Sequence, residues 1–210
     1  MKTALLVICL SLCVGAVFAA PVQWAASTGG NGHWYEAVCV PGGVNWTTSN
    51  TAAIASGGYL ATITSSAENI FITALISDDP DFWYYEGSNG IWSGPWFGGY
   101  QDVSAPDYSE PGGGWRWVTG EHWDYANWAQ GEPNNATGLW QQDRTHFIVW
   151  NDDFRSGTWD DSGDSPTIAG GYCMYNGYVI EYNAVPEPSS ILALLTSVSG
   201  LGGIMWRRRR

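Results

Sequence analysis

Glu132 and Asn134 flank Pro133 in the stretch NWAQGEPNNATG (127–138), and GTWDD (157–161) arrives some twenty residues later. In an extended segment, residues i and i+2 point to the same side, so a carboxylate and an amide can converge on one point. Both offer oxygen, and a calcium ion accepts about six to eight oxygens. Each also keeps an atom for a hydroxylated ligand, the Glu as acceptor and the Asn through its NH₂ donor. Pro133 fixes its own φ and makes a cis Glu–Pro bond accessible, which would draw the pair together. The simpler reading is a turn, because Pro, Asn and Gly all favour turns.

Both ends of the chain read as export machinery. Residues 1–20, MKTALLVICLSLCVGAVFAA, have Lys2, an apolar run and small residues at Ala19 and Ala20, the pattern of a secretory signal peptide. Cleavage after Ala19 is favoured over Ala20, which would leave Pro21 at the cut. At the other end, VPEPSS (185–190) precedes an apolar run of about 16 residues, at the lower limit for a spanning helix, and then Arg207–Arg210. A plain anchor would keep these arginines cytoplasmic and the domain outside. The ordered set of Pro186-Glu187-Pro188, short apolar helix and basic end closely resembles a PEP-CTERM sorting signal. That resemblance implies recognition and removal of the tail by an exosortase-type membrane protease, delivery to the bacterial surface or extracellular matrix, and membrane contact through the tail alone.

The whole chain carries a formal charge of −12. Setting aside Lys2, Arg207–Arg210 and Glu187 leaves 3 basic and 19 acidic groups in residues 21–185, a formal −16. Such a surface repels nucleic acid and anionic membrane and suits capture of cations. An aromatic content of 15% with 14 Trp argues for a packed domain rather than disorder. Cys9 and Cys13 fall in the signal peptide, so Cys39 and Cys173 remain, and in an exported protein they are expected to form one disulfide. Their pairing follows if HWYEAV (33–38) and GYVIEY (177–182) are antiparallel neighbours.

The elements that must position the candidate ligands are few. A strand is expected at 33–38, and a helix in NWTTSNTAAIASGG (45–58), capped by Thr47 to Ser49 and ended by Gly57-Gly58. An extended piece follows at 59–63. A second helix starts at the capping box Ser65-x-x-Glu68, with Ala67, Ile70, Phe71, Ala74 and Leu75 at the spacing of one apolar face, and ends at 78–81. Extended pieces at 96–100 and 115–120 sit in a long loop region, and strands are expected at 145–150 and 177–182. The order spells α+β, with the first and last strands paired.

GGYLATITSSAEN (57–69), WFGG (96–99), WRWVTGE (115–121), YANWAQGEPNN (125–135), GTWDD (157–161) and GYVIEY (177–182) together resemble a C-type lectin-like domain over residues 31–183. The resemblance implies a double loop closed by antiparallel terminal strands, with calcium in the long loop region. It implies that Glu132, Asn134, Gln142, Asp160 and Asp161 hold the ion, and that EPN goes with mannose-, glucose- or fucose-like ligands. Asp160 stands where the family usually has Asn, keeping an oxygen but losing an NH₂ donor for the sugar. Gln142 stands where the family usually has Glu, with Asp143 its neighbour. A second calcium, involving Asn135 and Asp143, would be additional to this site. Trp128 and Trp140 flank the EPN loop as candidate stacking platforms, alongside Glu132, Asn134 and Asp160 as sugar contacts.

Two functions compete: a calcium-dependent carbohydrate-binding surface or matrix protein, and a lectin-like structural or adhesive module in which calcium only stiffens the loop or is absent. An enzyme is not expected. His33, His122 and His146 lie far apart and no HExxH or nucleophile elbow is present.

Overall fold

The computed structural model describes residues 17–86, 90–136, 141–165 and 175–186. Trp140, Cys173, most of the signal peptide and the tail beyond 186 lie outside the described residues, and so does the expected disulfide. Strands β1 (Val17–Phe18), β2 (Val22–Gln23) and β3 (Trp34–Cys39) precede helix α1 (Trp46–Ala55); β4 (Tyr59–Leu60) leads to helix α2 (Ser66–Ile76). Then follow β5 (Tyr84–Glu86), β6 (Ile91–Gln101), β7 (Trp115–Trp117), β8 (Arg144–Trp150), β9 (Thr158–Ser162) and β10 (Gly177–Tyr182). One sheet runs β1-β3-β10-β6-β8-β9, with β2 on β3, β4 on β10, and β5 and β7 on β6. The architecture is α+β, and the first long strand and the last pair antiparallel from Gly177 opposite Cys39 to Tyr182 opposite Trp34.

Strand alternation divides the core in two. Tyr35, Ala37, Phe97 and Val179 face α2, with Ile72 and Ile76 over them; Val38, Trp96, Tyr178 and Ile180 face α1, with Trp46 and Ala53 over them. Buried indoles need partners for their N–H. Trp46 and Trp96 donate to the carbonyls of Phe97 and Val44, at 2.8 and 2.7 Å, pinning α1 and the turn before it to the sheet.

Several local expectations change. The α1 cap is Asn45, whose side chain accepts from Thr48 N–H at 2.9 Å, rather than Thr47 to Ser49. Gly57 at φ 84 does end that helix. Ser65 caps α2 as expected, but Glu68 turns to the Thr64 N–H and hydroxyl instead of closing the box. The buried face of α2 is Glu68, Asn69, Ile72, Thr73 and Ile76, while Ile70 is 65% exposed. Apolar periodicity misplaced the face because its polar members are buried with partners. Asn69 donates to the Gly157 carbonyl at 3.0 Å and accepts from the Trp159 indole at 2.8 Å. Glu68 accepts from Tyr35 OH at 2.5 Å.

β6 is also longer than the WFGGY piece, beginning at Ile91. Its ladder with β8 shifts register between Ser93 and Trp96, at Gly94-Pro95, where a proline without an N–H can sit. Cys39 is buried and has no disulfide partner among the described residues, its sulfur lying 3.6 Å from the Asp81 carbonyl. No helix among the described residues is long and apolar enough to cross a membrane.

The rotated face of α2 is open to direct measurement. Ile72→Ala should lower stability by about 2–5 kcal/mol, as cavity formation in a core does. Ile70→Ala should stay within about 0.5 kcal/mol. Urea denaturation of both variants checks this, and the reverse ranking would restore the face read from periodicity.

Candidate functional site

The chain 127–136 lies alongside β9. Trp159 N–H donates to the Asn127 carbonyl and Ala129 N–H to the Trp159 carbonyl, both at 2.9 Å, and Asn127 Nδ2 donates to Gly157 O at 2.8 Å. Below them the Trp159 ring is buried against Phe97, Trp117, Trp123, Tyr125 and Trp128, so β9 cannot slide. Ala129 N–H is thereby fixed to β9, and Ala129 O accepts from Glu132 N–H at 3.0 Å, turning the chain back. The Glu132–Pro133 peptide is cis, as is Glu110–Pro111.

The turn brings Glu132 against the two carboxylates of GTWDD. One oxygen of each of Glu132, Asp160 and Asp161 lies within 4.8 Å of the others. Asp161 is 1% exposed. Its two oxygens accept from the N–H groups of Asn134 and Asn135, at 2.8 and 2.9 Å. Burial still raises its carboxyl above the usual range, against those bonds. Glu132 Oε2 is buried and has no hydrogen-bond partner among the described residues. Burial, then Asp160 and then Asp161 push the Glu132 carboxyl up to about 8. Like charges held this close out of water favour a bound proton or cation.

Around this group the other expected residues divide. Asn134 is adjacent and exposed. Gln142 is buried, but its carbonyl oxygen accepts from Ala136 N–H and its own N–H donates to Asn135 Oδ1 at 3.1 Å. It therefore holds the 134–136 turn, with Asn135 left-handed at φ 46. Trp128 is half-buried in the indole stack, 4.9 Å from Trp115 and 5.9 Å from Trp159, so it is not a free platform. Asp143 pairs with Arg144 at 3.0 Å.

Sequence reasoning missed His146. It is 1% exposed, directly opposite Asp160 in the β8–β9 ladder, and packed edge-on to Trp96 and Tyr175. Its Nδ1 meets the Phe147 carbonyl at 2.7 Å and its Nε2 lies 3.5 Å from Asp160 Oδ2. The pairing of β8 with β9 was the only signal that could have found it, and β9 carried no strand pattern.

A family model for the PEP-CTERM protein-sorting motif matches residues 184–210. Ladderlectin of Oncorhynchus mykiss is 28% identical over 132 residues, covering 63% of this chain and 58% of its own. A perlucin-like protein of Mytilus galloprovincialis is 32% identical over 118 residues, 53% of this chain and 64% of its own. The chain thus spans less than two thirds of either relative. The C-type lectin CEL-I from Cucumaria echinata aligns in structure with a TM-score of 0.48 at 17% identity, over 71% of this chain and 89% of that one.

The described domain has the α+β architecture that its resemblance to a C-type lectin-like domain implies. Its first long strand pairs with its last, and each of its two helices packs on its own half of the core. The long loop region of this domain is not loose. It is stacked on Trp115, Trp117, Trp123 and Trp159 and carries Glu132 to β9.

The raised Glu132 carboxyl fixes the sign of a pH effect. Its stabilising contribution without metal is full below about 4.5, its ordinary value, and is lost as pH rises through about 8. In chelator, chemical denaturation should therefore give falling stability between those values, and Glu132→Gln should flatten that fall.

Proposed function

We propose that the lectin-like domain binds a calcium ion through Glu132, Asp160 and Asp161, and through that ion a hexose-type glycan. The observation that carries this reading is Glu132 Oε2, a buried carboxylate oxygen without a donor among the described residues, in a group of three convergent acids. Hard carboxylate oxygens match a hard dication, and three of them supply the charge it needs. Asn134, exposed beside the group, would add a carbonyl oxygen and keep its NH₂ for a sugar hydroxyl. Calcium supplies the polarising charge on which vicinal hydroxyls align. Glu132 and Asp160 orient those hydroxyls by accepting from them, and the acidic field of the chain concentrates the cation.

Two observations favour the second reading, a structural module. The Gln142 carbonyl already accepts from Ala136 N–H, and Asp160 brings no donor. Both weaken sugar selection more than they weaken cation binding. Calcium affinity is expected in the range of extracellular modules, about 10⁻⁴–10⁻³ M.

The sorting motif at 184–210 supports placement of the domain outside a bacterial cell, with an exosortase-type protease as processing partner. Mass spectrometry of the native protein should find no residues after about Pro188, and retention of Arg207–Arg210 would mean an anchor instead.

Sugar binding is tested by calorimetry with methyl mannoside, methyl glucoside and fucose, in calcium and in excess EDTA. Binding is expected only with calcium. Glu132→Gln should weaken it at least about tenfold, roughly 1.4 kcal/mol, and Asp160→Asn should strengthen it by restoring a donor. Calcium binding with no glycan bound would favour the structural module.

A further inference from the structure

At the far end of β8 and β9 from the carboxylates lies a second surface that the cation site does not use. Tyr85 on β5 and Trp92 on β6 are directly paired across strands, with ring centroids 4.6 Å apart, and Tyr85 is 46% exposed. Phe154 also packs edge-on with Trp92 at 5.1 Å and rests edge-on against buried Trp83 at 5.3 Å. The platform is therefore held rigid from beneath. Asp152 accepts from the Trp92 indole N–H at 2.7 Å. Asn151 and Asp152 are both left-handed, at φ 55 and 61, a turn conformation that Asn and Asp adopt more readily than other non-glycine residues. Asp152 thus places an exposed carboxylate beside half-buried Trp92 and the exposed ring of Tyr85.

From the strand register, Val149 opposite Trp92 is four residues from Thr145 opposite Asp161, on the order of 13 Å along β8.

We infer that Tyr85, Trp92 and Asp152 form a second, cation-independent subsite for neutral hexose units of an oligosaccharide; the ligand class rests on the glycan reading of the calcium site. The exposed Tyr85 ring, backed by Trp92, takes the C–H face of a sugar ring, and the Asp152 carboxylate accepts from its hydroxyls. Charge selects against the alternatives. Asp152 and Asp153 are exposed, and nearby Arg155 is tied to Asp78 at 2.9 Å. An anionic polymer, or a second copy of this chain at −12, is repelled.

The test titrates the purified full-length chain in excess EDTA with mannohexaose, cellohexaose and laminarihexaose, following heat and tryptophan fluorescence. At least one hexasaccharide should bind in the millimolar range, unchanged in Glu132→Gln. Tyr85→Ala, which removes an exposed ring, and Trp92→Ala should each weaken that binding at least about fivefold, with Trp92→Phe partly restoring it. Calcium-dependent binding of methyl mannoside should be unaffected by Tyr85→Ala. Failure of the calcium site alone would abolish the methyl mannoside signal and leave the hexasaccharide signal. The proposal is overturned if no hexasaccharide binds in EDTA, if Tyr85→Ala binds as the wild type does, or if a lysine-rich peptide binds the patch and the hexasaccharides do not.

Discussion

Two backbone hydrogen bonds, Trp159 N–H to the Asn127 carbonyl and Ala129 N–H to the Trp159 carbonyl, decide where the charged groups of this molecule stand. They join a long, irregular segment to β9 at the residue just before Asp160. Trp159 itself is fixed from α2 through Asn69, which also holds the Gly157 carbonyl. Gly157 allows that approach, because a Cβ there would lie 2.5 Å from Asn69 Nδ2 at a left-handed φ of 59. The helix, the strand and the loop thus share one residue, and the acids on either side of the loop converge because that residue cannot move.

The consequence of that convergence is electrostatic. Glu132, Asp160 and Asp161 are brought together where water is partly excluded, and the Asn134 and Asn135 N–H groups stabilise only Asp161. A proton on Glu132 or a cation among the three relieves the repulsion, and the two compete for the same oxygen. Gln142 contributes to this arrangement from outside, by holding Ala136 and Asn135 in the turn rather than by offering its carbonyl to the group. A neutral side chain in that place keeps the turn without adding a fourth buried charge.

The sequence carried the fold through its ends and its punctuation. Ser65 started α2, Gly57 stopped α1, and GYVIEY paired with the first long strand. It failed where polar residues do the work of apolar ones: Glu68, Asn69 and Thr73 are buried on α2 because their partners come from distant loops, which periodicity does not record. The Glu132–Asp160–Asp161 convergence was implied only by the family resemblance that EPN and WDD carry, since spacing alone aligned no more than Glu132 with Asn134. The role of Gln142 and the proximity of His146 depend on register between strands, and no local pattern encodes it.

Calcium titration of the purified chain at pH 7, by calorimetry in two buffers of different ionisation enthalpy, tests the central claim most directly. Because the Glu132 carboxyl is held at about 8 without metal, binding should release roughly one proton, and Glu132→Gln should lose both that release and most of the affinity. Absence of calcium binding, or binding of equal strength without Glu132, would contradict the account.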